Sequence, residues 1–125
     1  MFMKKVWITG ASSGIGRALA LKFSKEGWQV AASARRENLL DELVKINPNI
    51  YSFPLDVIKL EDSKKTFEKI LEKLGQIDLC IFSTGTYDPK TEKEINLEAI
   101  ENVMKVNFFG TLNCIKAAEN HLKNK

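Results

Sequence analysis

The residues with the clearest chemical potential form a glycine-rich stretch near the N-terminus, Thr9-Gly10-Ala11-Ser12-Ser13-Gly14-Ile15-Gly16. In such a loop one glycine permits a tight exit from a strand, another lets the backbone approach a diphosphate, and a third lets a helix pack closely on the sheet. The helix N-terminus adds free N–H groups and a positive dipole end. We therefore predict nucleotide binding by Gly10, Ser12, Ser13, Gly14, Ile15 and Gly16, with a ligand-free glycine turn as the alternative.

A pair of arginines lies at the position that distinguishes NAD sites from NADP sites. About 20 residues after the glycine-rich loop, NAD sites carry an Asp or Glu that binds the ribose 2′-hydroxyl. Here that position is Ala34, followed by Arg35 and Arg36. A guanidinium pairs bidentately with a 2′-phosphate, which a carboxylate would repel. The pattern favours NADP(H) over NAD(H), and the alternative for both arginines is a role as solvated charges at a helix start.

Two further positions follow strands and are expected at the same sheet edge. Asp56-Val57 comes after the third apolar run, and Gly85 lies in the Ser83-Thr84-Gly85 bend after the fourth. Ligands of open α/β sheets bind at the carboxyl ends of the strands. Asp56 can accept a hydrogen bond from an adenine amino group or from a local turn. Gly85 either lets a cofactor lie against the backbone or forms an ordinary turn.

Strands and helices must position these residues, and the apolar pattern predicts them because it alternates between strand and helix periods. It predicts strands at Val6–Thr9, Trp28–Ala34, Ile50–Leu55 and Ile77–Phe82, and helices at Ile15–Gly27, Leu39–Ile46, Phe67–Leu74 and Leu97 to about His121, with a polar loop at Ser83–Asn96. The β-α-β-α-β-α-β-α order indicates an α/β fold, a doubly wound Rossmann-type parallel sheet of order 3-2-1-4 in one domain over residues 1–125.

Composition excludes several classes of protein. Nineteen Lys and Arg against 16 Asp and Glu give a net charge of +3, and the two signs are mixed, so we expect no nucleic-acid partner. No apolar run reaches the roughly 20 residues of a membrane span, and Met1–Lys5 lacks the apolar core of a secretory signal. Cys80 and Cys114 lack CxxC spacing, which favours a cytoplasmic protein without a disulfide scaffold. His121 has no partner at metal-ligand spacing, so we expect a surface histidine and no metal site.

Together these motifs resemble the classical branch of the short-chain dehydrogenase/reductase family. Thr9-Gly-x-x-x-Gly14-Ile15-Gly16 matches its cofactor motif, Ala34-Arg35 is similar to its NADP-preferring members, and Asp56-Val57 to its adenine-contacting pair. Ser83-Thr84-Gly85 departs from the family's Asn-Asn-Ala-Gly and keeps only the glycine. Asn107-Phe108-Phe109-Gly110 resembles the family's Asn-x-x-Gly, which makes Asn107 the expected catalytic position, while an ordinary helix polar residue is the alternative.

The resemblance implies reversible hydride transfer between a nicotinamide ring and a carbonyl or alcohol of a small molecule. A Ser and a Tyr-x-x-x-Lys carry the family's proton chemistry. Neither tyrosine here has a Lys four residues later, because that position is Leu55 for Tyr51 and Thr91 for Tyr87. We expect the chain to be the cofactor-binding half of an enzyme, truncated after the fourth strand and its helix, and inactive alone. A non-catalytic NADP(H)-binding module, or a partner of a full-length subunit, is the alternative.

Two exposed surfaces are expected to follow from this arrangement. A fourth strand without a neighbour leaves an apolar sheet edge, which invites pairing or aggregation. The last helix is apolar nearly all round, a pattern that requires burial on several sides. The exposed part of the last helix therefore offers a surface for a homo-oligomer, while the sequence leaves the oligomeric state itself open.

Overall fold

The computed structural model describes residues 3–124 and contains a four-stranded parallel sheet in the order β3-β2-β1-β4. Met1 and Phe2, the first residues of the Met1–Lys5 segment, lie outside the described residues, and so does Lys125. The strands are β1 Lys5–Thr9, β2 Gln29–Ser33, β3 Ile50–Ser52 and β4 Leu79–Phe82. β1 pairs with β2 from Lys5 opposite Gln29, and with β4 from Val6 opposite Leu79. The predicted fold class and strand order are confirmed.

Helices connect the consecutive parallel strands. They are α1 Gly14–Lys25, α2 Glu37–Ile46, α3 Leu60–Leu74, α4 Lys90–Lys93, α5 Leu97–Met104 and α6 Thr111–Lys123, with a π-helical segment at Lys105–Gly110 between the last two. The short helix α4 lies inside the segment predicted to be a loop. Gly27 and Gly75 end α1 and α3 with φ of 93° and 86°, a conformation that glycine adopts without steric cost.

The two faces of the sheet bury separate clusters, because successive side chains of a strand point in opposite directions. Val6 and Ile8 of β1 pack with Leu40 and Leu43 of α2 on one face. Trp7 packs on the other face in a cluster that includes Phe67 and Ile70 of α3 and Cys114 of α6. Val30, Ala31 and Ala32 of β2 are fully buried. The run Trp28–Ala34 has no polar face, which predicts a strand covered on both sides, and this prediction is confirmed.

Helix α1 meets the sheet through small residues. The sequence predicts an apolar face of Ile15, Leu19 and Phe23, yet Ile15 is 75% exposed. The fully buried line is Gly16, Ala20 and Ser24, one position further along the helix. Ile15 is therefore not part of the buried face of α1. Small side chains allow the helix backbone to lie close to the strands.

β3 is shorter than predicted, although its hydrogen bonds to β2 continue past its last residue. The sequence predicts a strand through Leu55, and the structure ends it at Ser52. The N–H groups of Phe53 and Leu55 still donate to the carbonyls of Ala32 and Ala34 at 2.9 Å, and Pro54, which has no N–H, lies between them on an edge strand that tolerates it. The chain therefore continues along β2 to the edge where Asp56 lies.

The last helix continues to Lys123 but changes its pitch in the middle. The π-helical segment Lys105–Gly110 contains Asn107 and links α5 to α6. Such segments are rare and occur frequently at functional sites. Near the end of α6, His121 is half-buried: its Nε2 accepts a hydrogen bond from the N–H of Ile77 at 3.1 Å, and its ring packs edge-on against Phe67. The expectation of a surface histidine is wrong, because His121 ties α6 to the chain entering β4.

The predicted apolar edge and the predicted exposed helix face are both present among the described residues. β4 has β1 on one side and no strand on the other, and Leu79 is 38% exposed. Apolar side chains of α5, the π-helical segment and α6 also remain exposed, namely Leu97, Ile100, Met104, Phe108, Phe109, Leu112 and Ile115. Both surfaces need cover, since large contiguous apolar patches are rare on monomers.

Candidate functional site

A pocket of about 330 Å³ opens at the carboxyl ends of β1, β2 and β4. Ten of the predicted site residues line it: Gly10, Ser12, Ser13, Gly14, Ile15, Arg35, Arg36, Asp56, Val57 and Gly85. Gly16 and Asn107 lie beside it. Residues that are up to 75 positions apart in the chain therefore meet at one edge of the sheet, where ligands of α/β folds bind. Their contacts with a cofactor remain predictions.

Two hydrogen bonds fasten the glycine-rich loop and its supporting strand. The N–H of Ala11 donates to the carbonyl of Ser33 at 3.1 Å, which ties the loop to the end of β2. The indole N–H of Trp7 donates to the Ser33 hydroxyl at 3.0 Å in the buried core. Ser33 therefore contacts the glycine-rich loop through its carbonyl and the core of the sheet through its hydroxyl.

The first and third glycines of the loop are required by close approaches. A Cβ on Gly10 would lie 2.6 Å from the backbone of Ser83, and its φ is +68°. A Cβ on Gly16 would lie 2.1 Å from the carbonyl oxygen of Gly10. Since carbon and oxygen do not approach so closely, any larger residue would move the loop away from β4 or lift α1 from the sheet. Gly16 thus shapes the site without lining it.

Gly14 differs because its missing side chain faces open space. It has φ of +55°, and no atom lies within 4 Å of the Cβ that it lacks. The space is the pocket itself, so a ligand can approach the backbone there. This is the relation that the sequence predicts for the second glycine of a diphosphate loop.

The N-terminus of α1 presents unused hydrogen-bond donors to this space. In residues 3–124 the N–H groups of Gly14, Ile15 and Gly16 have no acceptor, and the hydroxyl of the N-cap residue Ser13 makes no capping bond. Unsatisfied N–H groups and the helix dipole together favour an anion. At the floor of the pocket, the buried Oγ1 of Thr9 also has no hydrogen-bond partner among the described residues. The residues present therefore fit a diphosphate.

Arg35 and Arg36 follow β2 at the side of the pocket, and both are exposed. Arg36 is the N-cap residue of α2, with extended backbone and no side-chain capping bond. Neither guanidinium lies within 4.0 Å of a carboxylate in the described part of the chain, since none of the ion pairs involves them. Both are therefore free to meet an anion in the pocket.

Asp56 and Val57 form the opposite wall, and the two side chains have different environments. Asp56 is half-buried, and its Oδ1 accepts a hydrogen bond from the N–H of Ile58 at 3.3 Å, which is the turn role foreseen as its alternative. Val57 is 4% exposed and packs against Gly110, where a Cβ would come within 2.4 Å of Val57 Cγ2. Asn113 Nδ2 donates to the Val57 carbonyl at 2.8 Å. The last helix therefore holds this wall in place.

Asn107 lies next to the pocket and holds the chain that leaves β4. Its Oδ1 accepts from the N–H of Thr86, and its Nδ2 donates to the Thr86 carbonyl at 2.9 Å. A Cβ on Gly85 would lie 3.7 Å from the same Oδ1. The Asn107 carbonyl accepts from the hydroxyl of Thr111 at 3.1 Å. Asn107 thus fixes the Gly85–Thr86 backbone, and its catalytic role remains a prediction.

Neither tyrosine lines the pocket. The pKa of Tyr87 is raised, first by its hydrogen bond with Glu92, then by desolvation and by the charge of Asp88. A tyrosine that works near neutral pH needs a lowered pKa. Tyr51 lies on β3, at the far edge of the sheet from β4.

The structure of residues 3–124 contains no cluster of three or more His, Cys, Asp or Glu that could hold a metal ion. None of the helices in this part of the chain could cross a membrane.

Several pocket residues escaped the sequence analysis. Ser33, Thr86 and Val106 line the pocket without having been predicted to do so. Thr86 directly follows Gly85, and Val106 directly precedes Asn107. Both are therefore next to residues that the sequence did predict for the site. Neither the glycine pattern nor the apolar period could show that these two segments meet, because they are about 20 residues apart.

Comparison with known proteins gives consistent results over nearly the whole chain. The family described as short chain dehydrogenase matches residues 4–125. A glucose 1-dehydrogenase of Gluconobacter oxydans is 36% identical over 114 residues, which are 87% of this chain and 43% of that protein. An NADPH-dependent 1-acyldihydroxyacetone phosphate reductase of Schizosaccharomyces pombe is 38% identical over 122 residues, 95% of this chain and 40% of that protein.

Solved structures show the same architecture. The crystal structure of a short-chain dehydrogenase from Streptomyces avermitilis superposes with a TM-score of 0.91 at 26% identity. It covers 99% of this chain, and the chain covers 46% of it. The chain thus spans less than half the length of these proteins, and the match includes the strands, the glycine-rich loop and the last helix.

Proposed function

Because the chain belongs to the short-chain dehydrogenase family, we propose that it forms the cofactor-binding part of an NADP(H)-dependent oxidoreductase. The substrate class is a small-molecule carbonyl or alcohol, and a bound nicotinamide supplies or accepts the hydride. The observation that carries this proposal is the pocket at α1, where three unused N–H groups and the open face of Gly14 surround a space suited to a diphosphate.

The preference for NADP(H) rests on the charges beside the adenosine end of the pocket. Ala34 stands where a carboxylate would select the 2′-hydroxyl, and Arg35 and Arg36 line the pocket without carboxylate partners in the described chain. A 2′-phosphate carries close to two negative charges and accepts bidentate bonds from a guanidinium. The S. pombe relative is named as NADPH-dependent, which agrees with this preference.

We propose that residues 1–125 bind the cofactor but do not turn over a substrate by themselves. Asn107 is the one position among them that matches a catalytic residue of the family, and it supports the loop after β4. The acid-base chemistry of the family needs a Tyr-x-x-x-Lys, and neither Tyr51 nor Tyr87 forms one. The alternative is a non-catalytic NADP(H)-binding module that pairs with another subunit, and the exposed apolar side chains of the last helix favour such pairing.

A titration tests this proposal. We expect the full chain to bind NADPH more tightly than NADH, and Arg35→Ala to remove about tenfold of the NADPH affinity while leaving NADH unchanged. Lys45→Ala serves as a control, since it removes one exposed positive charge from α2 outside the pocket. Equal affinity of the parent chain for both cofactors would contradict the NADP(H) preference, and failure to bind either would contradict the function.

A further inference from the structure

A second cleft lies on the outer side of Arg35, and we call it the α3 cleft. It has a volume of about 520 Å³ and is lined by residues that include Arg35, Asp56, Asp62, Lys65, Thr66 and Lys69. Arg35, Leu55 and Asp56 also line the pocket described above. The two spaces therefore share a wall, and a ligand at the adenosine end of the pocket is next to the α3 cleft.

The cations of the cleft are unusually free. Lys65 and Lys69 lie four residues apart on α3, so both project from the same side of the helix. In residues 3–124 neither of them, nor Arg35, lies within 4.0 Å of a carboxylate. Glu61, one turn before Lys65, pairs with Lys64 instead, at 3.9 Å. Like charges at this spacing repel each other, and an anion between them removes that cost.

Two carboxylates in the cleft do not cancel this charge. Asp56 accepts a hydrogen bond from the N–H of Ile58. Asp62 lies in the first turn of α3, where the helix dipole stabilises a negative charge. Three cations against two carboxylates leave a formal charge of +1 around the opening. The nearly buried Thr66 adds a hydroxyl to the lining of the cleft.

We propose that the α3 cleft binds a phosphate monoester dianion, held by Lys65 and Lys69 together with Arg35. Its source is the 2′-phosphate of an adenosine seated in the neighbouring pocket, so this inference rests on the proposed function. Lys65 and Lys69 then act as specificity-determining residues: they favour a phosphorylated ribose and contribute nothing to binding of the unphosphorylated cofactor.

The test compares two double variants of the full chain by titration with NADPH and NADH. Lys65→Ala with Lys69→Ala removes both cleft lysines, and we expect NADPH affinity to fall by about three- to tenfold with NADH affinity unchanged. Lys64→Ala with Lys73→Ala removes the same charge from the same helix outside the cleft, and we expect it to leave both affinities unchanged. The loss in the first variant should shrink at high ionic strength, because screening weakens exposed charge pairs.

Three results would overturn the inference. One is an unchanged NADPH affinity after removal of Lys65 and Lys69, and another is an equal loss for NADPH and NADH. The third concerns inorganic phosphate alone: if it binds the parent chain and not the Lys65/Lys69 variant while their NADPH affinities agree, the cleft serves a separate phosphate compound. Failure of the parent chain to bind either dinucleotide would instead contradict the proposed function, which keeps the two failures distinct.

Discussion

The amide of Asn107 bonds to both backbone polar groups of Thr86, accepting from its N–H and donating to its carbonyl. This double contact joins the π-helical segment to the chain that leaves β4. An amide can make both bonds because it carries a donor and an acceptor on one planar group. The contact therefore sets the distance between the last helix and the Gly85 side of the pocket.

Asn107→Ala should loosen this side of the pocket. Loss of two hydrogen bonds should lower the free energy of unfolding by about 1–2 kcal/mol. Hydrogen exchange should become faster at Thr86, while the N–H groups of the β1–β2 ladder stay protected. Asn102→Ala is the control, since Asn102 is exposed on α5 and its side chain makes no hydrogen bond in the described structure. Equal exchange at Thr86 in both variants would show that Asn107 does not hold the loop.

Gly14→Ala should separate folding from cofactor binding. The positive φ makes alanine cost about 1–2 kcal/mol of stability, and the new methyl group enters the space where we expect the diphosphate. We predict a loss of NADPH affinity of about tenfold or more, measured by titration.

Gly27→Ala provides a matched comparison for that experiment. Gly27 also has positive φ and open space at its missing Cβ, but it lies at the other end of α1. It should lose similar stability and keep its NADPH affinity. If the two variants bound NADPH equally well, the diphosphate would not contact Gly14.

Cys114 should make stability fall at high pH. Burial raises the pKa of this thiol to about 11, and the Ser63 hydroxyl partly opposes the rise. The folded protein therefore keeps a proton that the unfolded chain, with a pKa near 9, releases. The resulting stabilisation is complete below pH 9 and is lost between pH 9 and about pH 11, by about 2–3 kcal/mol.

The measurement is urea unfolding of the parent chain and Cys114→Ala from pH 8 to pH 11. Lysines also titrate in this range, so the informative quantity is the difference in slope between the two proteins. The parent chain should lose stability faster as the pH rises. Parallel curves would mean that the thiol ionises equally well in the folded and unfolded states.

Exposed phenylalanines of the π-helical segment should drive self-association. Phe108 and Phe109 are 51% and 54% exposed and lie within the apolar face of the last helix. Phe109→Glu should weaken any concentration-dependent association seen by sedimentation velocity, because a charge there must be desolvated on contact. Ile46→Glu is the control, since Ile46 is equally exposed on α2. Equal weakening by both variants would place the contact elsewhere.

The sequence was sufficient for the architecture and for most of the pocket. Strand and helix periods depend on which residues are apolar, and a parallel sheet of four βα units has few allowed topologies. The order β3-β2-β1-β4 followed from them. The positive φ of Gly14 could also be anticipated, because it is a property of the local backbone, whereas the close approach of Ser83 to Gly10 appears only in the folded chain. The buried face of α1 lies one position away from the predicted apolar face, since periodicity does not show how a helix is rotated against the sheet.

Tertiary structure alone decided the contacts between distant segments. Asn107 contacts Thr86 from the π-helical segment Lys105–Gly110, and neither this contact nor the change of helix type has a mark in the apolar pattern. Lys65 and Lys69 read as ordinary surface charges until α3 packs beside Arg35. The chain's own residues thus determine local conformation and the burial of apolar groups, both of which are set within a few neighbours. Relations across 20 to 50 residues depend on how the packed elements orient their side chains, and only the folded protein fixes these.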